Sequence, residues 1–212
     1  MNPAANGPTC FVYGAGDPVG PTPQPKPGDL MIAADGGYTA LQRLGIRPDL
    51  LLGDFDSLTD VPTDVPIVKL PAEKDDTDVL AALRIGCERG YRQFQIFGGT
   101  GGRFDHTIAN LQSLLWLAQR GARGTLVASS QCATVISGSL TFGPEASGYL
   151  SVFAVGGPTT VTLSGLKYEI ADTVLEPGFP RGVSNEFRGV PSQIDITRGF
   201  ALVVYPVEVQ PL

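Results

Sequence analysis

Residues 30–57 read LMIAADGGYTALQRLGIRPDLLLGDFDS. Leu30–Ala34 is a compact apolar run ending in Asp35-Gly36-Gly37, and Asp49–Leu52 is a second run ending in Gly53-Asp54. Runs of this kind fit strands buried on both faces. Between them, Gly37–Leu44 reads as a short helix stopped by Gly45. A strand–helix–strand unit predicts a mostly parallel α/β sheet. Working outward, Cys10–Tyr13, Phe94–Phe97 and Thr125–Ala128 are strand candidates of the same type. Asp76–Arg89 predicts a helix, with Val79, Leu80, Leu83 and Cys87 on one face, Asp75 or Asp76 as its cap and Gly90 at its stop. Phe104–Arg120 predicts another, carrying Ile108, Leu111, Leu114, Leu115 and Ala118, with Trp116 read as a core residue.

Past about residue 131 the pattern changes. Thr134–Ile136, Leu140–Phe142, Tyr149–Phe153, Thr160–Leu163, Tyr168–Ile170, Ser192–Ile196 and Ala201–Tyr205 are short β-branched or aromatic runs. Gly138, Gly156-Gly157-Pro158, Gly165 and Gly199 punctuate them as turns. Strands at this spacing, without a helix, predict an antiparallel sandwich or partial barrel. The expected fold class is therefore α/β plus all-β. Residues 1–131 would form a parallel α/β domain and residues 132–212 an antiparallel β-sandwich.

Composition bounds the function. The 212 residues carry 42% hydrophobic and 17% charged side chains, too apolar for a disordered chain. Gly 27 and Pro 18 show no triplet period, so they mark turns and not collagen. A net charge of -6 argues against a nucleic-acid partner, which needs clustered cations. No apolar run reaches the roughly 18–20 residues of a membrane span. The first ten residues lack the pattern of a secretory signal, and Cys10, Cys87 and Cys132 show no C-x-x-C pairing. A reduced, cytoplasmic protein is expected.

Ligands of open α/β sheets bind beyond the carboxyl ends of the strands. Asp35-Gly36-Gly37, Gly53-Asp54-Phe55-Asp56-Ser57, Asp75-Asp76-Thr77-Asp78 and Gly98–His106 all fall on that edge. Carboxylates without a Cys–His set suit Mg²⁺, which takes one or two of them and completes its shell with water and phosphate oxygens. Any single aspartate could equally be a helix cap. Four such motifs on one edge are harder to explain that way. GGTGGRFD lacks the Lys-Ser/Thr of a Walker A loop, but its glycines would admit phosphate oxygens to backbone N–H groups, and Arg103 could grip a phosphate bidentately. His106 is the only histidine and starts the helix, where a structural role competes with a catalytic one.

Residues 34–58 (ADGGYTALQRLGIRPDLLLGDFDSL), 71–83 (PAEKDDTDVLAAL) and 98–114 (GGTGGRFDHTIANLQSL) together resemble the thiamine pyrophosphokinase family. Residues 163–187 (LSGLKYEIADTVLEPGFPRGVSNEF) resemble that family's thiamine-binding segment. The resemblance implies transfer of a diphosphoryl group from ATP to the hydroxyethyl oxygen of thiamine, with Mg²⁺ required and AMP released. It also implies a homodimer with active sites at the subunit interface. By motif position, Asp54, Asp56, Asp76 and Asp78 would be the catalytic carboxylates, with Asp54, Asp56 and Asp78 on the metal. Asp35, Arg103, Asp105 and His106 would face the nucleotide; Tyr168, Ser184 and Asn185 would contact thiamine. Either Asp56 or Asp78 could accept the alcohol proton.

Two other readings use the same residues. A metal-dependent phosphohydrolase would release phosphate without thiamine, and a nucleotide or vitamin sensor would bind without turnover.

Overall fold

The computed structural model describes residues 7–16, 20–54, 62, 64–71 and 75–212. The chain divides into two compact units. One comprises the described residues up to Ser113 together with Leu126–Ala128; the other comprises Leu114–Thr125 and Ser129–Leu212.

The first unit is built on parallel strands. These are β1 (Thr9–Tyr13), β2 (Leu30–Ala34), β3 (Leu50–Gly53), β4 (Ile67–Lys69) and β5 (Gln93–Phe97). Their spatial order is β4-β3-β2-β1-β5, with Val12 paired to Ile32 on one side and to Ile96 on the other. The apolar runs become strands buried on both faces because helices cover them. Cys10, Val12, Ile32, Leu51 and Ile96 are all fully buried. Helix α1 (Gly37–Arg43) packs on β1 and β2, and α2 (Asp78–Glu88) packs on β1, β2 and β3. Leu83 of α2 is wholly buried, and cutting it to alanine would cost roughly 2–5 kcal/mol. Asp29 and Asp49 brace the sheet by accepting from the backbone N–H groups of Thr9 (2.7 Å) and Met31 (2.8 Å).

Helix α3 (Phe104–Ala118) and β6 (Arg123–Val127) each contribute residues to both units. The remaining strands are antiparallel: β7 (Gln131–Ile136), β8 (Ser139–Phe142), β9 (Tyr149–Ser164), β10 (Ile170–Leu175), β11 (Asn185–Glu186) and β12 (Ser192–Pro206). Strand β12 pairs β8 through its first half, β7 through its second, and β9 along much of its length. Its register against β9 shifts between Ile196 and Phe200, so one long strand serves both partners. Phe142 anchors this core edge-on against Phe187 (5.2 Å) and Tyr205 (5.4 Å).

Several expectations need correction. The runs at residues 149–153 and 160–163 are one strand, β9, with Gly156-Gly157-Pro158 inside it; the runs at 192–196 and 201–205 are likewise one strand, with Gly199 inside. Bulges absorb the irregular backbone that would otherwise end a strand. Tyr168 precedes its strand, which starts at Ile170. Helix α2 begins at Asp78 with Thr77 as its cap, the Thr77 hydroxyl accepting from Leu80 N at 3.2 Å. Trp116 is half-buried and not core: the Arg120 guanidinium lies 4.0 Å over its ring.

Candidate functional site

From β1 the sheet grows one way through β2, β3 and β4, whereas β5 is added on the opposite side of β1. The carboxyl ends of β1 and β5 therefore form a topological switch point, where open α/β sheets bind ligands. Their two loops interlock there. Gly14 N donates to Phe97 O at 2.8 Å, and Gly16 N donates to Gly98 O at 2.7 Å. Gly98 holds a left-handed φ of 57°, and a Cβ on it would lie 2.4 Å from Gly14 O. Only glycine permits that approach. Asn110, a buried residue of α3 that sequence reading passed over, steadies the same loop by donating to Gly99 O at 2.8 Å.

The next two strand ends close onto this one. A Cβ on Gly37 would lie 2.0 Å from Tyr13 O, so α1 starts hard against the end of β1. Asp35 takes a left-handed φ of 49°, donates its N–H to Leu52 O at 2.7 Å and accepts from Tyr38 N at 3.2 Å. A Cβ on Gly53 would meet Asp35 Cα at 3.2 Å, so the backbone just before Asp54 runs close against Asp35. Val79, next to Asp78 in the first turn of α2, stands 3.3 Å from the space a Gly14 side chain would fill. Asp35, Asp54 and Asp78 are all half-buried at this edge. Asp56 lies outside the described residues.

Asp76 is drawn toward its own helix. Arg84 Nη1 donates to Asp76 Oδ2 at 2.5 Å. Arg103, Asp105 and His106 are exposed at the start of α3. Arg103 forks onto Asp105 through Nε (3.1 Å) and Nη2 (2.5 Å), and Asp105 Oδ1 also accepts from His106 N at 3.0 Å. The hydrogen bond and charge of Arg103 hold the Asp105 carboxyl below its ordinary range, and Asp105 raises the guanidinium in turn. Among the described residues, no group of three His, Cys, Asp or Glu side chains could hold a metal alone. The donors at this edge are hard carboxylate oxygens, suited to a cation that completes its shell with phosphate and water.

The second unit holds a cavity of about 610 Å³, lined among others by Lys167, Tyr168, Glu169, Arg181, Val183 and Asn185. Tyr168 is 59% exposed there. Asn185 is buried and spends its amide on the chain: Nδ2 donates to Tyr168 O at 2.8 Å, while Oδ1 accepts from Tyr168 N and Glu186 N, each at 2.9 Å. It fixes the segment that presents the ring. Ser184 has a left-handed φ of 59° and donates its N–H to Ser151 Oγ at 3.1 Å. A Cβ on Gly182 would sit 1.9 Å from Val152 O, so this stretch of wall is pressed onto β9. Lys167 Nζ donates to Glu186 Oε2 at 2.7 Å and lies 5.8 Å from the Tyr168 ring centre. Sequence reading did not single out Lys167, Glu169 or Arg181, although all three fall in residues 163–187; only folding shows which side chains there face a cavity.

Comparison with known proteins matches both parts. Residues 26–126 fit the family model "Thiamin pyrophosphokinase, catalytic domain", and residues 140–200 fit "Thiamin pyrophosphokinase, vitamin B1 binding domain". A thiamine pyrophosphokinase of Bacillus subtilis is 41% identical over 91 residues, 40% of this chain and 42% of that protein. Thiamin pyrophosphokinase 1 of Caenorhabditis elegans is 28% identical over 66% of this chain and 62% of its own length. The matched segments thus span less than two thirds of either relative. The crystal structure of the Bacillus subtilis enzyme superposes with a TM-score of 0.82 at 26% identity, covering 93% of this chain and 98% of that one. With both domain models matched in order and the fold shared almost end to end, the chain belongs to the thiamin pyrophosphokinase family, a family of enzymes.

Proposed function

We propose that this protein transfers a diphosphoryl group from ATP to the hydroxyethyl oxygen of thiamine, yielding thiamine diphosphate and AMP. One coincidence carries the reading. The catalytic-domain match covers the aspartate-bearing ends of β2 and β3 and the Gly98 loop that closes the switch point, and the vitamin-binding match includes residues that build the Tyr168 cavity.

The donor set fits Mg²⁺, and Asp54, Asp56 and Asp78 would hold it. When bound, the ion neutralises triphosphate charge and makes phosphorus more electrophilic. The chain's own residues do the rest. Backbone N–H groups of the Gly98–Gly102 loop receive phosphate oxygens, and Asp35 orients the nucleotide at the end of β2. Arg103 exchanges its fork from Asp105 to the transferred group, leaving Asp105 and His106 to contact the nucleotide. Asp56 or Asp78 takes the alcohol proton. Asp76, held by Arg84, keeps negative charge near the start of α2. On the vitamin side, the Tyr168 ring faces the thiazolium cation while Asn185 and Ser184 hold the wall around it.

A homodimer with active sites at the subunit interface is part of the same proposal. Within one unit the exposed apolar side chains Phe104 and Ile108, one turn apart on α3, support a covered surface. Among the described residues, no helix is long and apolar enough to cross a membrane. Cys10, Cys87 and Cys132, none of them in a disulfide, support a reduced compartment, the cytoplasm. The direct test incubates purified protein with ATP, Mg²⁺ and thiamine. AMP and thiamine diphosphate in equal amounts are expected; ADP, or phosphate released without thiamine, would refute the reaction.

A further inference from the structure

The cavity carries more charge than a cationic vitamin calls for. Lys167 is offset by Glu186 at 2.7 Å. Glu169 Oε1 accepts from the backbone at Gly165 N, 2.7 Å away. Arg181 is different: among the described residues its guanidinium has no hydrogen-bond or ion-pair partner, yet it lines the cavity beside Val183 and Asn185. Its backbone is held in place, because Arg181 N donates to Phe179 O at 2.8 Å and the adjoining Gly182 O accepts from Val152 N at 2.9 Å. A cation repels a thiazolium and attracts an anion. One cavity therefore offers a carboxylate, an aromatic face and a guanidinium, which together complement a cationic ring bearing an anionic tail.

We infer that Arg181 recognises the phosphate of phosphorylated thiamine, so that this cavity holds the phosphate esters of the vitamin more tightly than the free alcohol. The inference rests on the vitamin-binding reading of the cavity and adds an anion contact to it. A guanidinium–phosphate contact is short, charge-assisted and commonly bidentate.

Isothermal titration of the full chain with thiamine and thiamine monophosphate, in EDTA to remove divalent cations, tests it. For the unaltered protein, the monophosphate should bind about tenfold more tightly than thiamine. Arg181→Ala should bring the two affinities within about twofold of each other by weakening the monophosphate alone, and Arg181→Lys should keep part of the preference. Because Arg181 is exposed, unchanged melting curves should confirm that both variants fold. Equal affinities in the unaltered protein, or parallel losses for both ligands in Arg181→Ala, would overturn this inference and leave thiamine binding standing. Absence of thiamine binding to the unaltered protein would instead bring down the vitamin-site reading together with it.

Discussion

Asn185→Ala separates a residue that holds the cavity wall from one that merely touches ligand. Three hydrogen bonds end on this amide, two with the Tyr168 backbone and one with Glu186 N, and the side chain is 5% exposed. Truncation leaves two N–H groups and one carbonyl without their partner. Each unsatisfied buried group costs about 1–3 kcal/mol. Tyr168 stands in a largely exposed segment, so water can replace part of the loss, and a total of about 2–4 kcal/mol follows. For a chain of this size each kcal/mol moves Tm by roughly 2–4 °C, giving a fall of roughly 5–15 °C by calorimetry. Tyr168 would lose its register at the same time, so KM for thiamine should rise about tenfold while KM for ATP stays within twofold. Tyr168→Ala provides the comparison: it should reproduce the thiamine defect with little change in Tm, because the ring is exposed. An unchanged Tm in Asn185→Ala, with the thiamine KM alone raised, would refute the positioning argument and make Asn185 a direct ligand contact.

Other outcomes follow from the same structure. Asp54→Asn should lower kcat by about 10²-fold or more with an unchanged melting curve, since metal-held charge supplies several kcal/mol to such reactions; a near-normal rate removes Asp54 from the site. Gly98→Ala sets a Cβ 2.4 Å from Gly14 O at a left-handed φ, so about 1–3 kcal/mol of stability and most nucleotide affinity should be lost, read by melting and by ATP titration. Burial raises the Cys10 thiol from about 9 to about 12 and Cys132 to about 11, whereas Cys87 is only half-buried. At pH 8 a thiol reagent should label Cys87 first; fast labelling of Cys10 would contradict its burial. An acid held protonated in the fold adds stability that is intact below its unfolded value and declines above it. Stability should therefore fall as pH rises from 9 to 12, and Cys10→Ala should flatten that decline in alkaline melts.

What the residues determined alone was local. Apolar runs such as Leu30–Ala34 and Phe94–Phe97 bury both faces in any parallel sheet, and the helical faces around Leu83 and Leu114 repeat at helical spacing, so these elements were legible. The aspartate and glycine motifs were legible because their spacing is unusual. Strand β4 was not: Ile67–Lys69 is three residues long and mostly exposed, with no buried run to reveal it. The cap was misread because three neighbouring side chains could all cap, and only the backbone of Thr77 takes the required extended conformation. Strands β9 and β12 looked like four because glycine usually ends a strand, whereas here bulges carry the pairing past it. Tertiary structure alone decided that β5 joins β1 and makes a switch point, that Asn185 spends its amide on the Tyr168 backbone, and that Arg181 faces a cavity. Those facts depend on which distant segments come together, and a side chain's neighbours across 17 or more residues are set by packing, a property of the whole fold and not of the local sequence.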